Sequence, residues 1–113
     1  MLTLDALKAF GANTEEGMGR CLNNEAFYVR LIGMAVEDAG FDRLNAALDS
    51  GDTKAAFEAA HALKGVLGNL ALTPLYTPAA ELTELLRAGS DADTAPYRTA
   101  INEQREKLRE LCK

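Results

Sequence analysis

The chain of 113 residues has no tryptophan, one histidine and two cysteines, and its aromatic side chains are limited to three Tyr and four Phe. With so few aromatic residues, the core has to be built mainly from Leu, Ala, Val and Ile, a composition that favours helices over sheets. A single histidine excludes any metal site that needs two or more histidine ligands. Cys21 and Cys112 are far apart and match no metal-binding spacing.

Long apolar runs and basic runs are also missing. No run approaches the roughly 20 apolar residues that are needed to cross a bilayer, and Met1 to Asp5 lacks the basic-then-apolar pattern of a signal peptide. We therefore expect a cytoplasmic protein whose two thiols are reduced. The formal net charge of −5, without a basic stripe, excludes general nucleic-acid binding.

The residues that are present are those of an ordinary globular domain, with 48% apolar and 26% charged side chains. This length predicts one domain over residues 1–113, with its core at about 24–111. No segment alternates with period two, whereas apolar residues recur at spacings of three and four. The sequence therefore predicts an all-α fold, an up-down four-helix bundle with one or two short additional N-terminal helices.

Caps, glycines and prolines divide the chain into predicted helices. These cover about residues 3–10, a short stretch after Asn13, 24–38, 41–49, 52–71, 78–89 and 95–111, with a polar loop at 90–94. The predicted buried face of helix 24–38 consists of Phe27, Leu31, Met34 and Ala35, and Gly40 is expected to end that helix. Because Pro78 lacks an amide hydrogen, we expect a single turn at 73–76 and a new helix capped by Thr77.

Helix 52–71 is the segment whose pattern indicates chemistry. At about 100° per residue, one side of the helix is entirely apolar and His61 lies at the centre of the opposite side. Gly65 and Gly68 share the face of His61, although each costs about 1 kcal/mol relative to alanine. Because the two glycines have no side chains, they leave the ring open to another macromolecule. Lys64 supplies a nearby cation, which helps if the ring gains an anionic phosphoryl group and hinders if the ring must become an imidazolium. The alternative for a lone surface histidine is that it is merely solvated.

The run from Ala60 to Gly65, Ala-His-Ala-Leu-Lys-Gly, closely resembles the signature of histidine-containing phosphotransfer (HPt) domains. Residues 44–52 are similar to the short helix and Gly-Asp turn that usually precede the phosphoacceptor helix in that family. The resemblance covers about residues 24–88 well. One departure is Ala71, since the family often has glycine ten residues after the histidine.

The resemblance implies that His61 accepts a phosphoryl group from an aspartate of a response-regulator receiver domain and passes it to another receiver aspartate. Lys64 would offset charge on the transferred group. The residues expected to contact the partner are Phe57, Gly65, Gly68, Asn69 and Lys54. For Phe57, packing against a neighbouring helix is the alternative, and for Asn69 and Lys64 it is simple solvation. The second ring nitrogen of His61 is expected to bond to a group on the adjacent helix.

The implied partners are receiver domains and a sensor histidine kinase, without nucleic acid or membrane, and the chain is expected to be a monomer. It would be a carrier rather than an enzyme, because the sequence has no nucleotide-binding loop. No cofactor or metal is expected on this chain, and Mg²⁺ would belong to the partner's aspartate site. Two alternatives remain at this point: a helical module that docks without carrying phosphate, and a small helical metal or haem protein.

Overall fold

Seven α-helices, and no strand, are found in the computed structural model of the chain, which describes residues 1–89 and 92–113. The helices are α1 (Leu4–Phe10), α2 (Thr14–Arg20), α3 (Glu25–Ala35), α4 (Ala39–Ser50), α5 (Thr53–Asn69), α6 (Thr73–Arg87) and α7 (Ala95–Leu111). The all-α prediction is confirmed. Of the predicted polar loop at 90–94, Ser90 and Asp91 lie outside the described residues.

The helices from α4 to α7 form an up-down bundle, in which α4 packs on α5, α5 on α6 and α6 on α7. Short connections force each helix to run antiparallel to its predecessor. Polar contacts join α4 to α7: Arg98 donates to Asp49 at 2.6 Å, and the guanidinium of Arg105 lies 4.4 Å from the centre of the Phe41 ring. The hydrogen bond from Arg98 lowers the pKa of the Asp49 carboxyl.

Four helices begin next to a side chain that caps them, close to the predicted helix boundaries. Thr3, Asn13, Asn24 and Asp52 each accept a hydrogen bond from a backbone amide in the first turn of the helix that follows. Each cap satisfies an amide that would otherwise lack a partner and is worth about 1 kcal/mol. These four starts therefore agree with the predicted positions to within a residue or two.

The end of α3 and the role of Gly40 were predicted wrongly. Helix α3 ends at Ala35, and Gly40 lies in the first turn of α4, where Asp38 caps the helix by accepting from the Gly40 amide at 2.7 Å. A Cβ at position 40 would come within 3.0 Å of the Leu63 side chain on α5. Glycine at this position thus allows α4 and α5 to pack closely, and it does not terminate α3.

The predicted buried face of α3 was wrong at Phe27 and Met34, whereas Ala35 is buried and Leu31 half-buried as expected. The structure buries Tyr28, Ile32 and Ala35, whereas Phe27 and Met34 are 40% and 62% exposed. Apolar residues surround nearly the whole of α3, and their spacing therefore fits two faces equally well. The Tyr28 hydroxyl, which donates to the Leu70 carbonyl at 2.7 Å, places the observed face against the end of α5. Burial raises the pKa of Tyr28 to about 12.

Helix α6 is continuous, which contradicts the predicted break before Thr77. It begins at Thr73, with Pro74 in its first turn and Pro78 inside the helix. An interior proline costs about 3 kcal/mol because it removes one hydrogen bond and crowds the preceding turn. Leu75, Ala79 and Leu82 are fully buried, and burial of each large aliphatic side chain contributes about 1.5–3 kcal/mol. Packing against α5 and α7 therefore outweighs the local penalty.

The turn after α5 contains a residue in an unfavourable backbone conformation. Ala71 has φ 55°, in the left-handed region, where a non-glycine residue costs about 1–2 kcal/mol. Its carbonyl accepts from the Asn13 amide at 2.9 Å, so the turn also holds the start of α2. The chain adopts here a conformation that favours glycine, with alanine in its place.

We expect Ala71→Gly to raise the free energy of unfolding by about 0.5–1 kcal/mol. It relieves the left-handed strain, and part of that gain is offset by the greater freedom of glycine in the unfolded chain. Urea unfolding measures the change, and Ala46→Gly on the exposed side of α4 should instead destabilise by about 1 kcal/mol. Destabilisation by both substitutions would contradict the strain argument.

Candidate functional site

The sole histidine is exposed on α5, at the centre of the side that faces away from the core. The opposite side of this helix buries Ala56, Ala60, Leu63 and Leu67. Residues at spacings of three and four from one another form that buried stripe, which leaves His61 on the solvent side. The predicted position of His61 is confirmed.

The His61 ring is held by an aromatic contact rather than by a hydrogen bond. The Phe57 ring, one turn earlier, stacks on the imidazole with 5.7 Å between the ring centres and 16° between the planes. Neither ring nitrogen has a hydrogen-bond partner in the described part of the chain, so the expected bond to an adjacent helix is not found. Both nitrogens are therefore open to solvent or to a partner.

Arg87 is a cation beside Phe57 that the sequence did not reveal, and it pairs with Glu84 at 3.5 Å. It lies in the last turn of α6, and its guanidinium carbon is 5.4 Å from the centre of the Phe57 ring. Phe57 is half-buried and contacts both His61 and Arg87. The predicted alternative, packing against a neighbouring helix, is therefore observed. Docking by Phe57 stays a prediction. Only the packing of α6 on α5 brings residues 57 and 87 together, and no local pattern signals it.

An open groove of about 470 Å³ begins one turn beyond His61. Its walls include Glu16 and Arg20 from α2, Lys64, Gly65, Gly68 and Asn69 from α5, and Tyr76 from α6. Four of the predicted site residues thus meet in one cavity, which we call the α2–α5 groove. Lys54, two turns before His61 and about 10 Å along the helix axis, is exposed and lies outside this groove.

Gly65 and Gly68 have different surroundings, although both were predicted to keep the ring open. A Cβ at position 65 would meet nothing within 4 Å, so this part of the surface is open. At position 68 it would come within 2.9 Å of Tyr76 Cε1. The packing of Tyr76 therefore accounts for glycine at position 68, and a role of Gly68 in partner binding stays a prediction.

The charges of the groove are mainly positive. Lys64 has no carboxylate partner among the residues described. Arg20 donates to the Gly68 carbonyl and pairs with Glu16. In this chain of net charge −5, the α2–α5 groove is a local reversal of sign. The contribution of α2 could not be read from the sequence, because residues 16 and 20 meet residue 68 only in the folded chain.

The described residues lack two features of other protein classes. No group of three or more His, Cys, Asp or Glu side chains there is arranged to hold a metal ion. No helix in residues 1–89 or 92–113 combines the length and hydropathy of a membrane-spanning segment.

Comparisons with known proteins agree with the geometry of α5. The family model of the Hpt domain matches residues 35–111, which include α4 to α7 and His61. Comparisons with curated proteins and with solved structures gave no match. Because the family match spans more than half of the chain, the protein belongs to the Hpt domain family, whose members are phosphotransfer modules of phosphorelays.

Proposed function

We propose that this chain is a phosphoryl carrier of a multistep phosphorelay, with His61 as the phosphoacceptor. The observation that carries the proposal is the position of the only histidine: it is exposed at the centre of the open face of α5, and neither ring nitrogen has a partner in the part of the chain that the structure describes. The match to the Hpt family supports the same reading. Its partners would be receiver domains and a sensor histidine kinase, met as a monomer in the cytoplasm.

The proposed reaction moves one phosphoryl group between two side chains. A lone pair of a His61 ring nitrogen attacks the phosphorus of an aspartyl phosphate on the receiver. The P–N bond forms as the P–O bond to the aspartate breaks, and the carboxylate leaves with the bonding pair. The reverse step on another receiver regenerates the free imidazole. The chain needs no cofactor of its own for this exchange, and Mg²⁺ would be held by the receiver.

The surroundings of His61 would assist the exchange in two ways. Stacking on Phe57 restricts the ring, which reduces the entropy that must be lost when the reacting atoms align. Lys64, one turn along α5, would supply positive charge to the anionic phosphoryl group, and such charge stabilises a transition state in which negative charge is shared among oxygens.

The proposal is tested with a receiver domain that has been phosphorylated with labelled acetyl phosphate. We expect label to move to this chain within the mixing time of a manual experiment, and the product to be acid-labile and base-stable, as a P–N bond is. Receiver binding without label transfer would instead identify a docking module, and a base-labile product would identify an acyl phosphate on a carboxylate. Either result would contradict the proposal.

We expect Lys64→Ala to slow transfer about tenfold, which corresponds to about 1.4 kcal/mol of lost transition-state stabilisation. Receiver binding should change less, because the lysine matters most as charge develops on the phosphoryl group. Single-turnover kinetics separate the two effects. Lys107→Ala is the matched control, since Lys107 is exposed on α7. Equal rates for Lys64→Ala and Lys107→Ala would remove Lys64 from the site.

A further inference from the structure

The α2–α5 groove has a feature that the family match does not cover. Helix α2, residues 14–20, lies outside the matched residues 35–111, yet Glu16 and Arg20 form one wall of the groove. The other walls come from α5 and α6, which lie within the match. This part of the chain thus adds its own charged side chains to a surface that starts one turn from His61.

The position of α2 is fixed by specific contacts. Arg20 donates to the Gly68 carbonyl in the last turn of α5, and the Asn13 amide, at the start of α2, donates to the Ala71 carbonyl. Gly17 lies directly against the ring of Tyr28, whose hydroxyl is bonded to Leu70. Helix α2 is therefore attached to the end of the phosphoacceptor helix from several sides, and its charges occupy fixed places beside the groove.

The chemistry of the groove selects an acidic occupant. Among the described residues Lys64 has no carboxylate partner, and Arg20 shares its charge with Glu16, while the surface above Gly65 is open. A receiver site that binds Mg²⁺ beside its aspartate presents carboxylates, so its surface is complementary in sign. Complementary charges steer docking and discriminate among partners.

We infer that the α2–α5 groove receives an acidic loop of the receiver domain next to its phosphorylated aspartate, and that α2 determines which receivers fit. This inference rests on the proposed phosphotransfer function. It adds to that function a second contact region, separate from the imidazole, in which Arg20 attracts the partner and Glu16 limits that attraction.

Two reactions on each variant test the inference. Phosphoramidate, a small donor without a protein surface, measures the reactivity of His61, and a phosphorylated receiver domain, chosen as the fastest donor to the wild-type chain, measures kcat/KM for transfer. The ratio of the receiver rate to the phosphoramidate rate then reports docking alone. We expect Arg20→Gln to lower this ratio about tenfold through a higher KM. Arg30→Gln, an exposed arginine of α3, should leave it within twofold.

A pair of charge reversals keeps the test decisive if Arg20→Gln disturbs α2. Within residues 1–89 and 92–113, the Glu16 carboxylate hydrogen-bonds only with Asn13 and Arg20, about one turn before and after it. Glu15 lies on the same helix but outside the groove. Both Glu16→Lys and Glu15→Lys change the net charge equally. At low salt we expect the ratio of the receiver rate to the phosphoramidate rate to be at least threefold higher for Glu16→Lys than for Glu15→Lys. This difference should shrink as salt is added.

The outcomes separate the inference from the function on which it rests. If phosphoramidate does not phosphorylate the folded wild-type chain, the proposed function fails. If phosphoramidate and the receiver both phosphorylate it, but the ratio for Glu16→Lys equals that for Glu15→Lys, the function stands and the inference is overturned.

Discussion

Replacing His61 with glutamine will reduce labelling by a phosphorylated receiver to background, a loss of more than about a thousandfold, because the substitution removes the nucleophile itself. The chain should remain folded, since His61 is exposed and has no hydrogen-bond partner among the described residues. We expect the free energy of unfolding to change by no more than about 0.5 kcal/mol, as for other surface substitutions.

Circular dichroism during urea unfolding provides the stability measurement for His61→Gln, and Glu81→Gln, at an exposed position of α6, is the matched control for both assays. Label that persists on folded His61→Gln would place the acceptor at another residue. His61 would then not be the phosphoacceptor, even though the match to the Hpt family stands.

The second large effect concerns the attachment of α2. A Cβ at position 17 would overlap the hydroxyl of Tyr28 and lie 2.6 Å from its Cε1 atom. The ring cannot easily retreat, because Tyr28 is fully buried and hydrogen-bonded to Leu70. We therefore expect Gly17→Ala to destabilise the protein by about 1–3 kcal/mol, the usual cost of overpacking, as measured by urea unfolding.

Gly19 offers a control on the same helix. A Cβ at position 19 would meet nothing within 4 Å, so Gly19→Ala should be neutral or stabilise by up to about 1 kcal/mol through helix propensity. If Gly17→Ala is as stable as Gly19→Ala, the Tyr28 contact does not hold α2 in place, and this contact does not fix the α2 wall of the groove.

Features that depend on local chemistry could be predicted from the sequence. The caps at Thr3, Asn13, Asn24 and Asp52 act within one turn of the residues they satisfy, so a local pattern contains the whole interaction. The exposed position of His61 followed from the same kind of reasoning, because the apolar stripe of α5 leaves only one orientation for the helix.

Features that depend on tertiary packing could not be predicted. Local sequence rules predict that the helix breaks before Pro78, but α6 is continuous because it is buried against α5 and α7. In α3, two apolar faces were available, and a long-range hydrogen bond from Tyr28 distinguishes them. Ala71 adopts the left-handed backbone that favours glycine, and no local pattern in the sequence predicts that conformation for an alanine.

The residues of the site also fall into two groups, those that local sequence predicts and those that only tertiary packing brings together. His61, Lys64 and Gly65 are close in sequence, and the spacing of a helix brings them to one face. Arg87 and Arg20 come from helices that precede or follow α5 by many residues, and they reach the site only through the packing of α6 and the hydrogen bond to Gly68. His61 and Lys64 were therefore predictable, whereas the cations that α2 and α6 contribute were not.

The most direct test of the account is the location of the phosphoryl group, read by phosphorus NMR of the isotopically labelled wild-type chain after transfer from a receiver domain. The account predicts a single new phosphorus signal that is coupled to ring protons of His61, and no signal from any other side chain. A phosphorus signal coupled to a carboxyl or hydroxyl side chain, with the His61 ring resonances unchanged, would contradict it.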